Sequence, residues 1–319
     1  AMKTQLTKIP EAGWIILAGA GLRIMLLTTS PLWYDETFTL LISRVDLPHL
    51  ITATAADVHP PLYYIIISSL LALPIPPVLA MRGFSVVCSL GAMFQLWGIS
   101  GELGFQPRIR LLALAIMAAL PVEIYYAQEA RMYALLQFLV LTQFLLMLRR
   151  DWKNLAIVSV FCLYTHNYGL IYTAIIYSLA IWRERVVVQE SIVGLVFSAT
   201  ASEVAFLPWL IICTFRQMDT VAAGYWIQPV TIGNIIYAIL QIIFTSIMPT
   251  WLIWLACPVL GMILLAGLMS GWKHRRFELL ALAIAPLLLA VLVSVVWKPM
   301  LLFRGLIGSI PALALILSE

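Results

Sequence analysis

Long apolar runs follow one another along the chain, separated by short stretches that carry Arg, Lys, Pro or Gly. The runs are continuous rather than alternating, so they predict helices and not the strands of a barrel. They extend from Trp14 to Thr29, Leu62 to Leu73, Val78 to Ile99, Leu111 to Ala127, Tyr133 to Leu148 and Leu155 to Thr165. Further runs extend from Gly169 to Trp182, Ile192 to Cys213, Ile232 to Met248, Trp251 to Met269, Phe277 to Trp297 and Leu301 to Leu317. Several approach the roughly 20 residues that cross a hydrocarbon core.

Basic clusters orient these runs, because positively charged loops stay on the cytoplasmic side. They are Lys3/Lys8, Arg108/Arg110, Arg149/Arg150/Lys153, Arg183/Arg185 and Lys273/Arg275/Arg276. Placing all of them inside requires an even number of crossings between consecutive clusters. Two runs are then surplus. Leu62 to Leu73 is too short to span and is flanked by prolines. Ile232 to Met248 carries Gln241, Thr245 and Ser246, ends at Pro249, and belongs to a loop with Tyr225, Trp226 and Tyr237. Both are expected to lie flat at the outer interface. The result is about ten crossings with both termini inside.

The expected fold is thus all-α: a polytopic transmembrane bundle over residues 1–319, one membrane domain with no soluble domain. Its first outer loop, about 31–77, and a later one, about 214–250, carry the juxtamembrane helices. Composition agrees, with 63% hydrophobic residues, 11% charged and a mean hydropathy of +1.00. The first run has no small-x-small cleavage site after it and reads as a retained helix. The net charge of +4 follows from topology, and no nucleic-acid partner is implied. Cys88, Cys162, Cys213 and Cys257 lie in or at the ends of apolar runs without metal-ligand spacing, and read as small core residues.

The polar residues gather on the outer side. Asp35 and Glu36 follow the first run, in Trp33-Tyr34-Asp35-Glu36. Carboxylates at a helix mouth are costly unless wet or partnered. Asp57-Val58-His59-Pro60-Pro61-Leu62-Tyr63-Tyr64 is a second cluster; Asp57 can cap the flat helix or meet substrate, and His59 can bond at the interface or hold an anion as imidazolium. In a third, Glu129-Ala130-Arg131-Met132-Tyr133, a continuous helix would put Glu129 and Tyr133 on one face and Arg131 elsewhere. Arg131 and Arg304 can reach a phosphate or anchor to headgroups. His166 lies in a further outer turn. Arg23 and Glu203 fall inside crossings at similar depth, as a structural pair or with Glu203 protonated. Carboxylates and guanidiniums converging at a membrane face suit group transfer from a phosphate-linked lipid, one acid deprotonating the acceptor and cations neutralising the departing phosphate.

Trp-Tyr-Asp-Glu after the first span, Asp-x-His-Pro-Pro-Leu-Tyr-Tyr, Tyr-Tyr-Ala-Gln-Glu-Ala-Arg-Met-Tyr and a late Arg before a Pro-containing helix, in this order, resemble the GT-C glycosyltransferases of the protein mannosyltransferase and aminoarabinose transferase group. The resemblance implies an inverting enzyme using a polyprenyl-phosphate sugar on the outer face, without a nucleotide sugar, and flat helices in the outer loops. It maps Asp35 as the catalytic base or the group that orients the acceptor, with Glu36 beside it. His59, Tyr63, Arg131 and Arg304 would hold the donor phosphate, and Asp57, Glu129, Tyr133 and His166 the substrates. Many relatives carry further crossings or a soluble outer domain after the late Arg, which leaves the acceptor open among protein, lipid and glycan. No cofactor is expected, although Asp35, Glu36, Asp57 and Glu129 are hard oxygen donors that can bind Mg²⁺ or Mn²⁺. A lipid-linked sugar flippase is the alternative; no paired halves or matched Gly/Pro interruptions favour it.

Overall fold

The computed structural model describes the backbone of residues 9–222, 227–244, 250–274 and 276–319, with side chains described except at 9–10, 213–222, 242–244, 250 and 252–260. Lys3, Lys8, Tyr225, Trp226, Thr245, Ser246, Pro249 and Arg275, and the side chains of Cys213 and Cys257, therefore lie outside the described residues. Among the described residues all regular structure is helical, as the apolar pattern predicts.

Helix α1 spans Ile9–Ile24, and the stretch that follows, expected as the first outer loop, holds α2 (Tyr34–Ile42), α3 (Leu47–Ala56) and α4 (Leu62–Leu71). Only the last of these three was expected. Each has ten residues or fewer, about 15 Å of helix at most, half of a hydrocarbon core. Next come α5 (Pro77–Glu102), α6 (Pro107–Ala119), α7 (Pro121–Ala127), α8 (Tyr133–Leu148), α9 (Trp152–Leu163) and α10 (Tyr168–Trp182), which runs into a π-helical turn at Arg183–Val188. The chain continues with α11 (Val193–Ala222), α12 (Ile232–Phe244), α13 (Thr250–Lys273), α14 (Phe277–Val296), a 3₁₀ segment at Phe303–Ser309 and α15 (Ile310–Ser318).

Three described helical segments are long and apolar enough to cross a membrane: Pro77–Glu102, Val193–Ile212 and Phe277–Val296. The pair α6 and α7, bent by 58°, makes a fourth if it is one span. Helix α8 is only 16 residues long, but 13 of them are buried, so its backbone is surrounded by protein and not by lipid. It forms the centre of the bundle, packed by α5, α9, α10 and the 3₁₀ segment.

Two expected crossings are broken. Leu111 to Ala127 is not one helix, because Leu120 precedes Pro121 and is pushed into extended backbone (φ −65°, ψ 124°). Pro121 has no N–H for the Met117 carbonyl, and the bend takes Val122 away from that of Ala118. Arg23 fills both vacant positions, donating from Nη2 to Met117 O (2.9 Å) and from Nη1 to Ala118 O (3.0 Å), with Nε on Ser89 Oγ (2.8 Å). The expected Arg23–Glu203 relation is corrected accordingly: Arg23 is fully buried as the cap of a helix break, and Glu203 lies on the exposed face of α11. The last run, Leu301 to Leu317, begins as a 3₁₀ segment, and its α-helix starts only at Ile310, with Pro311 in the first turn. In the other direction, α11 continues helically to Ala222, into the expected outer loop.

Candidate active site

The acidic pair opens α2, where the helix N-terminus favours negative charge. Successive residues on a helix point about 100° apart, and the two acids go to different places. Glu36 is 1% exposed and turned inward. Its Oε1 accepts from Arg82 Nε (2.9 Å) and from the amide of Ala130 (2.8 Å), and its Oε2 accepts from Arg82 Nη2 (2.7 Å). Arg82 also donates to the carbonyls of Leu27, Ser30 and Pro31. Glu36 and Arg82 together therefore join three pieces of chain: the exit of α1, the start of α2 and the turn at 129–131. Arg82 was not foreseen; the available signal was an arginine six residues inside an apolar helix, the feature that drew attention to Arg23.

Asp35 faces a cavity of about 690 Å³. Its Oδ2 lies 3.3 Å from Arg304 Nη1 and 4.0 Å from Arg131 Nε. The turn carrying Arg131 is not helical; α8 starts at Tyr133, so the expected helical face shared by Glu129 and Tyr133 does not exist. Glu129 and Arg131 instead both line the cavity. Arg131 is 3% exposed, and its Nη1 donates to Tyr64 Oη (3.3 Å), Thr39 Oγ1 (3.4 Å) and Asp35 O (3.4 Å). Burial opposes its charge, but Tyr64, Tyr133, Asp35 and Glu129 outweigh it and hold its pKa above the ordinary value. Burial pushes the Glu129 carboxyl up to about 8 against the pull of Arg131 and Arg304, so it is largely neutral at pH 7.

The second cluster forms a dyad. Asp57 Oδ2 lies 3.0 Å from His59 Nδ1, and α4 is capped by Pro61, so Asp57 serves His59 and not the helix. Burial raises the Asp57 carboxyl, but the bond and charge of His59 prevail and lower it. Burial, with Arg131 and Arg304 nearby, holds His59 below its ordinary value despite Asp57. In the unliganded cavity the balance disfavours the imidazolium, one of the two roles open to His59, while Asp57 favours it. His166 stacks edge-on at 5.5 Å from His59, lowered well below its ordinary value by burial and then by His59 and the arginines. Tyr133 lies behind, with Arg304 Cζ 5.5 Å from its ring centre. Tyr63 is fully buried away from the cavity wall, and Tyr64, its neighbour, is the tyrosine that meets Arg131.

Aromatic and apolar groups complete the wall. The bend at Pro121 brings Tyr125 and Tyr126 onto it, α2 adds Phe38, and Leu302 and Phe303 flank Arg304. Three buried polar atoms around this space, Glu129 Oε2, Arg131 Nε and Tyr133 Oη, have no hydrogen-bond partner among the described residues. Such atoms are rare in native interiors. Here they cluster beside a cavity with two guanidiniums, a carboxylate and an apolar wall, an arrangement suited to an anionic group attached to an apolar one. Among the described residues no three His, Cys, Asp or Glu side chains form a metal-ligating group.

No protein-family model and no curated protein matches the chain. Among solved structures it is similar to the crystal structure of the Archaeoglobus fulgidus oligosaccharyltransferase in the apo form, with a TM-score of 0.58 and 12% sequence identity. The match covers 98% of this chain and 50% of that one, so the chain spans about half the length of the structure it resembles. At this identity the likeness is one of fold, and the all-helical architecture expected from the sequence is the one observed.

Proposed function

We propose that the chain is an integral-membrane glycosyltransferase that moves a sugar from a polyprenyl-phosphate donor to an acceptor on the extracytoplasmic face, with inversion at the anomeric carbon. The observation that carries this reading is Asp35 beside Arg131 and Arg304 in a cavity whose remaining wall is largely apolar. The fold shared with an oligosaccharyltransferase supports it.

In this reading Asp35 accepts the proton of the acceptor hydroxyl or amine as the acceptor atom bonds to the anomeric carbon. The bond from that carbon to the phosphate oxygen breaks, and polyprenyl phosphate leaves with the electron pair. Arg131 and Arg304 neutralise the charge that grows on it. His59, oriented through Nδ1 by Asp57, donates to the phosphate from Nε2 as an imidazolium, which the negative charge of the phosphate favours, while Glu129, Tyr133 and His166 surround the sugar. Two fixed guanidiniums meet the electrostatic need of the leaving group, so no divalent ion is invoked. The acceptor is a protein, a lipid or a glycan, and the cell membrane is the proposed location.

The test is Asp35→Asn in proteoliposomes supplied with a polyprenyl-phosphate sugar and a panel of acceptors. Transfer should fall by roughly 10²- to 10⁴-fold, with the melting temperature in detergent unchanged within a few degrees. Transfer at the wild-type rate would overturn the assignment.

A further inference from the structure

Arg304 stands on a segment without α-helical support. The chain leaves α14, passes Met300 without regular structure and Leu302 in extended form, and enters the 3₁₀ turn at Phe303. What holds this segment comes from α10. Tyr168, 2% exposed, donates from its hydroxyl to Met300 O (2.9 Å) and accepts from the amide of Leu302 (3.0 Å). Its ring lies so close to Gly305 that a Cβ there would meet ring carbons at 2.5 Å. One turn further, Tyr172 donates to Gly305 O (3.2 Å). Arg304 is thus bracketed by groups fixed on both sides of it.

The same turn reaches across to the other arm of the cavity. Asn167 Nδ2 donates to Val58 O (2.8 Å), and the Leu62 amide donates to Tyr164 O (3.0 Å), which ties down the stretch bearing Asp57 and His59. The Tyr168 amide donates to His166 Nδ1 (3.0 Å), leaving the hydrogen of that imidazole on Nε2.

We propose that Tyr168 is a positioning residue for Arg304, its hydroxyl setting the level at which the guanidinium meets Asp35 and the phosphate of the donor. This rests on the glycosyltransferase reading above. Tyr168 is not among the residues lining the cavity; it acts by holding the backbone two and four residues before Arg304. A tyrosine serves where phenylalanine would not, because one hydroxyl both donates and accepts and so fixes two backbone groups at once.

Binding of farnesyl phosphate to the full chain in nanodiscs, measured by isothermal titration calorimetry with farnesol as the uncharged control, tests this without relying on turnover. Tyr168→Phe keeps the ring against Gly305 and should fold. Its Kd for farnesyl phosphate should rise roughly five- to thirty-fold, with farnesol unaffected. In an Arg304→Gln background the same substitution should change Kd less than about two-fold, because the effect passes through Arg304. An equal loss in both backgrounds, or no loss in the wild type, would overturn the proposal. Failure of the wild type to prefer farnesyl phosphate over farnesol would instead sink the parent reading, and this one with it.

Discussion

Arg304 Nη1 lies 3.3 Å from Asp35 Oδ2, although 269 positions separate the two residues. Arg131 Nε approaches the same oxygen at 4.0 Å. Asp35 Oδ1 has no hydrogen bond among the described residues, so the carboxylate is oriented through one oxygen, with the other left to meet a ligand. The contact joins the stretch after α1 to the last segment of the chain at the wall of the cavity.

Arg304→Lys should separate charge from shape. Lysine keeps the positive charge but cannot offer a planar fork to a carboxylate and a phosphate together. The expected outcome in proteoliposomes is a fall in kcat/KM for the donor of roughly ten- to a hundred-fold, with a larger fall for Arg304→Gln. A lysine variant with wild-type kcat/KM would show that the site needs only charge.

Adjacent acids should behave oppositely in a stability assay. Glu36 is buried against Arg82, and removing one partner leaves an uncompensated charge, so Glu36→Ala should cost about 3–5 kcal/mol. Asp35 has a side chain 21% exposed at a cavity, and Asp35→Asn should cost less than about 1 kcal/mol. Denaturant unfolding in detergent compares them directly. Equal costs would mean that the two acids share one structural role.

Helix α8 was legible to its last residue, because an apolar run bounded by a turn and two arginines leaves little freedom. The breaks were not. Pro121 stood in plain view, but a proline can begin a helix as well as end one, and only the packing of Arg23 against the freed carbonyls makes the bend the stable choice. Helices α2 and α3 are short and mixed in polarity, without the periodicity that marks a buried face. In the site, the residue types could be read but not their partners. Glu36 and Asp35 have the same local sequence context, and what divides them is Arg82 on one side and Arg131 with Arg304 on the other, brought in from distant segments. Likewise nothing local distinguishes Tyr63 from Tyr64; their roles follow from which face of α4 meets Arg131.

Arg23 should be a stability residue and not a ligand-binding one. Its replacement by methionine leaves the carbonyls of Met117 and Ala118 without donors in a buried setting, at about 1–3 kcal/mol for each unsatisfied group. Arg23→Met should lower the melting temperature in detergent while leaving farnesyl phosphate affinity of the folded fraction unchanged. A selective loss of affinity with an unaltered melting temperature would place Arg23 in the binding site.

Glu129 gives the fold a dependence on pH whose direction is fixed. Its carboxyl is raised from an ordinary 4.5 to about 8, so between those values the folded chain holds a proton that the unfolded chain has released. Stability therefore falls as pH rises through this window, by at most about 1.4 kcal/mol per pH unit, and the slope vanishes above about 8, where both states are ionised. Glu129→Gln removes the titrating group while keeping a similar shape. The variant should gain stability relative to the wild type as pH rises from 5 to 8, as read from melting temperatures in detergent at matched ionic strength. Because Arg131 and Arg304 pull the carboxyl toward ionisation, Arg304→Gln should raise its pKa further and carry the falling limb to higher pH without steepening it. A wild-type profile parallel to that of Glu129→Gln would show that Glu129 ionises as freely in the fold as out of it, and that the cavity beside Asp35 is wetter than its burial implies.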